Sequence, residues 1–360
     1  MEGSSEMKPM ERSRRDFLRV CGAAAASGAA GAPVPKRPAV SVVRIKNGNI
    51  ARAVEEALDL LGGIQAITGG RERIMLKPNL VTAAASVTTK PEVIRALAQL
   101  MKRARKQVLI GEGSAAAAGF NVKGGEIFRT RKREILDAMQ GFVFKELGYT
   151  DLAQSLGVPL INLHSGALVE VKVPGAFVFP TVTLHRSLTD IDLLCSVPMM
   201  KTHALAQVTL GIKNLVGVFP GTVYQSVRGG MHDEAAKVEP SGTAAAIVDM
   251  MRANKLGLVV VDGSMAVEGQ GPTEGTLVKM DVIVAGANPV ATDMVASSLM
   301  GFQPAEVPTF AWANKAGLGP TALEEIEIRG EKPEAVRRQF AKPQIYAWNS
   351  MRAVWGAKEM

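Results

Sequence analysis

Short runs of apolar, largely β-branched residues recur along this chain, and between them lie stretches whose apolar positions fall three or four residues apart. The runs at 40–45, 73–76, 107–110, 158–163, 191–197, 256–261 and 278–284 predict strands, and several are apolar throughout, as expected of strands covered on both faces. The helical spacing predicts helices near 50–61, 91–105, 132–147, 242–253 and 289–300. Pro91 and Pro289 suit a first helical turn, where a missing N–H costs nothing, and Asn288 suits the N-cap before the last of these helices. Strands alternating with helices predict an α/β fold, a largely parallel sheet covered by helices. The Val-, Phe- and Thr-containing stretch 166–185, broken by Pro174 and Pro180, predicts a short β insertion that could form a smaller lobe. Beyond Glu331 the pattern predicts a helical tail holding Trp348 and Trp355.

The N-terminus departs from this rhythm. Ser13-Arg14-Arg15-Asp16-Phe17-Leu18-Arg19 and the alanine-rich run at 20–32 read as a twin-arginine signal peptide at 1–32. Arg14 and Arg15 would engage the twin-arginine translocase, placing the protein in the periplasm or another extracytoplasmic compartment. The run is shorter than the roughly 20 apolar residues that span a bilayer, so cleavage is expected. Ala30-Gly31-Ala32 has the form of a peptidase site, although Pro33 follows it and positions after Ala26 or Ala29 are alternatives. A Pro-rich linker at 33–39 would lead into one α/β domain at 40–330 and the tail at 331–360. No other stretch is apolar enough to cross a membrane, which predicts a soluble protein once the signal is removed.

Composition narrows the chemistry. With 47% hydrophobic and 21% charged residues, the chain can build a sizeable core. Only Cys21 and Cys195 are present, and signal removal would leave one, which excludes a disulfide, a cysteine-ligated iron–sulfur cluster and a cysteine-based zinc site. The net charge of +8 favours an acidic partner. Its densest clusters, Lys102 to Lys106 and Arg129 to Arg133, fall in stretches that read as solvated helix faces, and export together with 5% aromatic residues argues against nucleic acid.

Candidate chemistry collects after the strands, where open α/β sheets bind their ligands. Lys77-Pro78-Asn79, Gly111-Glu112-Gly113-Ser114, Lys201-Thr202-His203 and Asp262-Gly263-Ser264 each follow a predicted strand. In a parallel sheet their tips would converge on one edge. Lys77 and Lys201 would present ammonium groups there, and half-buried lysines need an acidic partner or ligand, or they lose their proton. Gly211-Ile212-Lys213-Asn214-Leu215-Val216-Gly217 sets a lysine and an amide in an apolar, glycine-bounded segment, where both need partners. His203 and His232 could act as a general base or a metal ligand. With Glu268 and Asp293, His232 supplies donors for a divalent metal, although no compact metal signature is present and the helix dipole alone would favour a carboxylate at Asp293.

These motifs, and the Asp262 to Pro272 and Ala291-Thr292-Asp293 stretches, resemble the domain-of-unknown-function family numbered 362, over roughly 40–302. The resemblance implies an α/β domain which, in many members, stands alone or is joined to a ferredoxin-type cysteine cluster suggesting redox chemistry. This chain has no such cysteines, so any electron transfer would need an external redox partner. Two readings follow. In the first, an exported enzyme holds a small anion with Lys77, Asn79, Lys213 and Asn214, while His203, Lys201, Asp262 and Glu112 carry catalysis. In the second, the protein is a non-catalytic ligand-binding or accessory subunit of an exported redox complex.

Overall fold

The structure, a computed structural model, describes residues 37–352 and 355–360. The stretch expected to be a signal peptide, with Arg14 and Arg15, and the first four positions of the expected linker lie outside the described residues. The strands are β1 (Ala39–Arg44), β2 (Arg73–Pro78), β3 (Gln107–Glu112), β4 (Val122–Lys123), β5 (Glu126–Arg129), β6 (Leu160–Asn162), β7 (Leu168–Lys172), β8 (Thr181–His185), β9 (Leu193–Val197), β10 (Met199–His203), β11 (Gln207–Thr209), β12 (Leu256–Glu268), β13 (Thr276–Val278), β14 (Val282–Gly286), β15 (Glu327–Gly330) and β16 (Trp355–Glu359).

The protein is an α/β fold built on an 11-stranded sheet in the order β15-β1-β14-β12-β9-β2-β3-β6, with β10 and β13 attached to β12 and β11 paired to β10. β6, β3, β2, β9 and β12 run parallel, and β14 is antiparallel to both β12 and β1. Alternation along each strand divides the core into two layers. Met75, Val259, Val261, Val282 and Val284 face one layer, with the helices Gly242–Ala253 and Pro289–Leu299. Ile74, Leu76, Leu258, Val260 and Ile283 face the other, with the helices Ile50–Asp59, Pro91–Arg103 and Arg133–Glu146. Asn288 caps its helix by accepting from the Ala291 N–H at 2.9 Å. The insertion is an antiparallel hairpin of β7 and β8.

Four expectations are corrected. Asp262 is not at a strand tip, because β12 runs on to Glu268. The Asp262 carboxylate is satisfied inside the strand layer by the N–H of Lys90 at 2.9 Å and the N–H and hydroxyl of Ser264, so the polar side chain does not end the strand. The run at 278–284 is two strands, β13 on the far half of β12 and β14 on its near half. Their registers differ by one residue, and the slip is absorbed near Asp281, whose φ is 50°. The tail holds only short helices, Pro333–Val336 and Trp348–Arg352, before β16 pairs in parallel with β5, an edge that local propensity does not report. Arg129 also leaves the solvated face expected of it. It sits buried on β5 with its Nη1 2.5 Å from an Asp233 carboxylate oxygen. No helix among the described residues is long and apolar enough to cross a membrane.

Candidate functional site

β2 and β3 are adjacent parallel strands, so their carboxyl ends place Lys77 and Glu112 side by side. The two form a buried ion pair, Lys77 Nζ to Glu112 Oε2 at 2.8 Å. Lys77 also donates to Asn214 Oδ1 at 3.0 Å and to the Pro78 carbonyl at 3.1 Å, which uses all three of its hydrogens. Glu112 further accepts from the N–H groups of Leu80 and Gly113. Asn214 donates to the Lys77 and Pro78 carbonyls and to Ser196 Oγ, and its oxygen also accepts from Asn79 Nδ2 at 3.2 Å. Lys77, Glu112 and Asn214 are therefore a closed scaffold, with little capacity left for a ligand.

Pro198 has no N–H to give, and there the chain leaves β9 and starts β10. β10 pairs with the far half of β12, and this carries Lys201 and His203 over the end of β2. Lys201 is wholly buried, and among the described residues its ammonium makes one hydrogen bond, to the Val87 carbonyl at 2.7 Å. Lys213 arrives from the 3-10 turn Lys213–Val218. That turn is held from behind by Asp293, whose two carboxylate oxygens accept from the N–H groups of Gly211 and Ile212, both at 2.8 Å. Gly217 is obligatory here, since a Cβ would lie 2.1 Å from Glu112 Oε1 and 2.7 Å from Lys77 Nζ.

Arg228 completes the site and was not among the residues the sequence pointed to. It is one of the largest fully buried side chains, and it donates to the carbonyls of Val216, Ser114, Gly113 and Gly217. Gln225, Val227 and Arg228 all have positive φ, at 66°, 49° and 58°. For a β-branched residue such as Val227 this is strained, and strain of this kind persists only where the surroundings impose it. The only local hint is Gly229-Gly230, because an arginine's burial is not written in its neighbours.

Together these residues line a cavity of about 60 Å³, whose polar groups come from Lys77, Asn79, Glu112, Lys201, His203, Thr209, Lys213, Asn214 and Arg228 and whose apolar wall includes Leu80, Val81, Val216 and Val227. A larger cavity of about 260 Å³ adjoins it, sharing His203, Lys213, Val216 and Val227 and adding Val122, Ile127, Leu205 and His232. Burial dominates the electrostatics. It pushes Lys201 down to about 7, helped by Lys213, and Lys213 down to about 7, helped by Lys77 and Arg228. Burial also lowers Lys77 against the opposing pull of Glu112, and brings Arg228 down to about 10. His203 falls well below its ordinary value through burial and the nearby lysines, so it is neutral at pH 7. Its Nδ1 accepts from the Leu205 N–H at 3.0 Å, which places the ring proton on Nε2. The imidazole is thus a hydrogen-bond donor, not the general base that sequence alone suggested.

The proposed metal donors do not assemble. Asp293 braces the Gly211–Ile212 backbone, with burial raising its carboxyl to about 7. Glu268 accepts from the Ala341 N–H and lies 3.9 Å from Arg338. His232 faces the outer cavity, its Nδ1 3.1 Å from Thr243 Oγ1 and its ring stacked on Trp348 at 4.4 Å. Burial and Lys213 bring His232 down to about 3. Among the described residues no group of three or more His, Cys, Asp or Glu is arranged to hold a metal ion. Each carboxylate was drawn to backbone N–H groups in its own neighbourhood, and residue spacing does not reveal that.

Fold and cavity define an α/β protein with a buried, cation-lined pocket at the carboxyl ends of its parallel strands. The chain belongs to the family described as Domain of unknown function (DUF362), whose model matches residues 74–298 and takes in every cavity residue named above. It is 28% identical over 312 residues to a thylakoid-associated protein of Synechocystis sp., covering 85% of this chain and 88% of that protein. Among solved structures it is similar to the lactate racemase apoprotein from Thermoanaerobacterium thermosaccharolyticum, with a TM-score of 0.40 and 14% identity over 73% of this chain and 57% of that one. It is also similar to a Thermotoga maritima protein solved as a structural genomics target, with a TM-score of 0.35 and 12% identity over 64% of this chain and 53% of that one. The chain spans just over half the length of these two solved structures.

Proposed function

We propose that this protein is an exported enzyme that binds a small anion in the smaller cavity. One observation carries the reading: four basic side chains, Lys77, Lys201, Lys213 and Arg228, line the cavity against a single carboxylate, Glu112. Burying cations without counter-charge is costly, and a bound anion removes that cost. The free donors are those of Lys201, Lys213 and His203 Nε2–H, with one hydrogen each left on Asn79 Nδ2 and Arg228 Nη1. They can hold a carboxylate or phosphate, while Lys77, Glu112 and Asn214 fix the frame around it. Anion binding would return to Lys201 the proton that burial removes, and Lys201 and Lys213, both brought to about 7, are the groups suited to proton transfer.

The test is isothermal calorimetry of the purified protein with acetate, phosphate and pyruvate. Binding should occur with proton uptake near pH 7.5, and Lys201→Gln should weaken it about tenfold or more, the scale of one lost charged hydrogen bond. Absence of binding to every anion, with the protein folded, would remove the proposal. Export rests separately on Arg14 and Arg15 and is tested on them.

A further inference from the structure

The four cations around the cavity are not equivalent. Lys77 is fully committed to Glu112, Asn214 and the Pro78 carbonyl, Arg228 gives four of its five N–H groups to carbonyls, and Lys201 is anchored on the Val87 carbonyl. Lys213 has no hydrogen-bond or ion-pair partner among the described residues, yet it is buried and lies on the wall shared by the inner and outer cavities. A lysine kept only to neutralise an anion gains from remaining charged. Here the fixed charges of Lys77 and Arg228 and the loss of water all favour the free amine. A desolvated amine beside other cations is the arrangement that makes lysine a nucleophile towards carbonyl carbon. Two further buried groups on the inner wall, Thr209 Oγ1 and Asn79 Oδ1, have no hydrogen-bond partner. A hydroxyl and an acceptor are what a carbinolamine and its departing water require.

We propose that Lys213 condenses with the carbonyl of a small oxo acid to form an imine, while the acid's carboxylate rests on Lys201 and the spare N–H groups of Arg228 and Asn79. This deepens the anion-binding reading and rests on it. The neutral Lys213 amine attacks the carbonyl carbon, forming a C–N bond as the C=O π electrons move to oxygen. A proton passes from nitrogen to that oxygen to give the carbinolamine. The C–O bond then breaks, the hydroxyl leaves as water with a proton given by the Lys201 ammonium, the nitrogen lone pair closes the C=N bond, and the remaining N–H proton returns to Lys201 to leave the neutral imine. No oxidant or reductant is consumed. The inner cavity of about 60 Å³ limits the group bound there to a few heavy atoms, and the adjoining cavity of about 260 Å³ takes the remainder of a longer acid.

The experiment incubates the purified protein with glyoxylate, pyruvate or 2-oxobutyrate in the presence of sodium cyanoborohydride, which reduces an imine to a stable secondary amine, and maps the adduct by peptide mass spectrometry. Calorimetry with the same acids, without the hydride, runs in parallel. The expected result is an adduct on Lys213 that excess acetate suppresses and that is lost in Lys213→Arg and Lys213→Ala. Lys213→Arg keeps the charge, so it remains informative should the alanine variant fail to fold, and trapping in the unaltered protein needs no variant. Binding of these acids without an adduct on Lys213, or an adduct confined to Lys201, would overturn the imine and leave the anion-binding reading standing. No binding of any of these acids, nor of phosphate, would overturn both.

Discussion

Replacing Glu112 with glutamine tests the charge arrangement that the site depends on. The carboxylate is surrounded entirely by donors: Lys77 Nζ at 2.8 Å, Leu80 N–H at 3.1 Å and Gly113 N–H at 2.8 Å. An amide of the same shape must turn its NH2 towards at least one of them, and it leaves the Lys77 ammonium, which is wholly buried, with no counter-charge. Removing one partner of a buried pair costs about 3–5 kcal/mol, far more than the 0–1 kcal/mol of an exposed one. The loss should also depend on pH, with a definite sign. Lys77 is already below the usual lysine range, and without Glu112 it falls further. The folded variant then binds fewer protons than its unfolded chain, so its stability rises with pH relative to the unaltered protein. Urea unfolding followed by tryptophan fluorescence and circular dichroism, at about pH 7 and pH 9, measures both quantities. A loss below about 1 kcal/mol at pH 7, or one that does not shrink at the higher pH, would refute the argument that Glu112 holds a charged Lys77 in place.

Four further outcomes are expected. Lys201 and Lys213, both near 7 when folded, make ligand-free stability climb between about pH 7.5 and 8.5, below the range where the buried Cys195 thiol begins to oppose them; thermal melts should show the climb, flattened by saturating phosphate and halved in Lys213→Met. Gly217→Ala pushes a methyl into the Lys77–Glu112 pair, costing about 1–3 kcal/mol in chemical unfolding and lowering anion affinity in calorimetry. Asp262→Asn disturbs hydrogen bonds to Lys90 and Ser264, costing about 1–3 kcal/mol, but it leaves anion affinity unchanged because the carboxylate is not on the cavity wall; a matching loss of affinity would contradict that placement. Arg14→Lys with Arg15→Lys holds the precursor in the cytoplasm on cell fractionation, and continued appearance of the mature form outside it would remove the export reading.

The hydrophobic pattern by itself determined the α/β class, because apolar runs and helical periodicity are local properties that the chain cannot hide. Lys77 and Glu112 do lie at the ends of β2 and β3, since strand ends follow from where an apolar run stops, but Lys201, expected beyond a strand, lies inside β10. The pattern misread Asp262, because a single satisfied carboxylate can sit inside a strand, and it misread the tail, because β16 exists only against β5. The roles of the polar residues were decided by tertiary structure alone. Asp293 became a brace and Lys77 became half of a closed ion pair through partners 82 and 35 residues away. Arg228 gained its place by burial, through carbonyls up to 115 residues distant. Residue type and spacing state what a side chain can bond to. Which bonds are already taken, and therefore which lysine is left over in the cavity, depends on distances that only the folded chain sets.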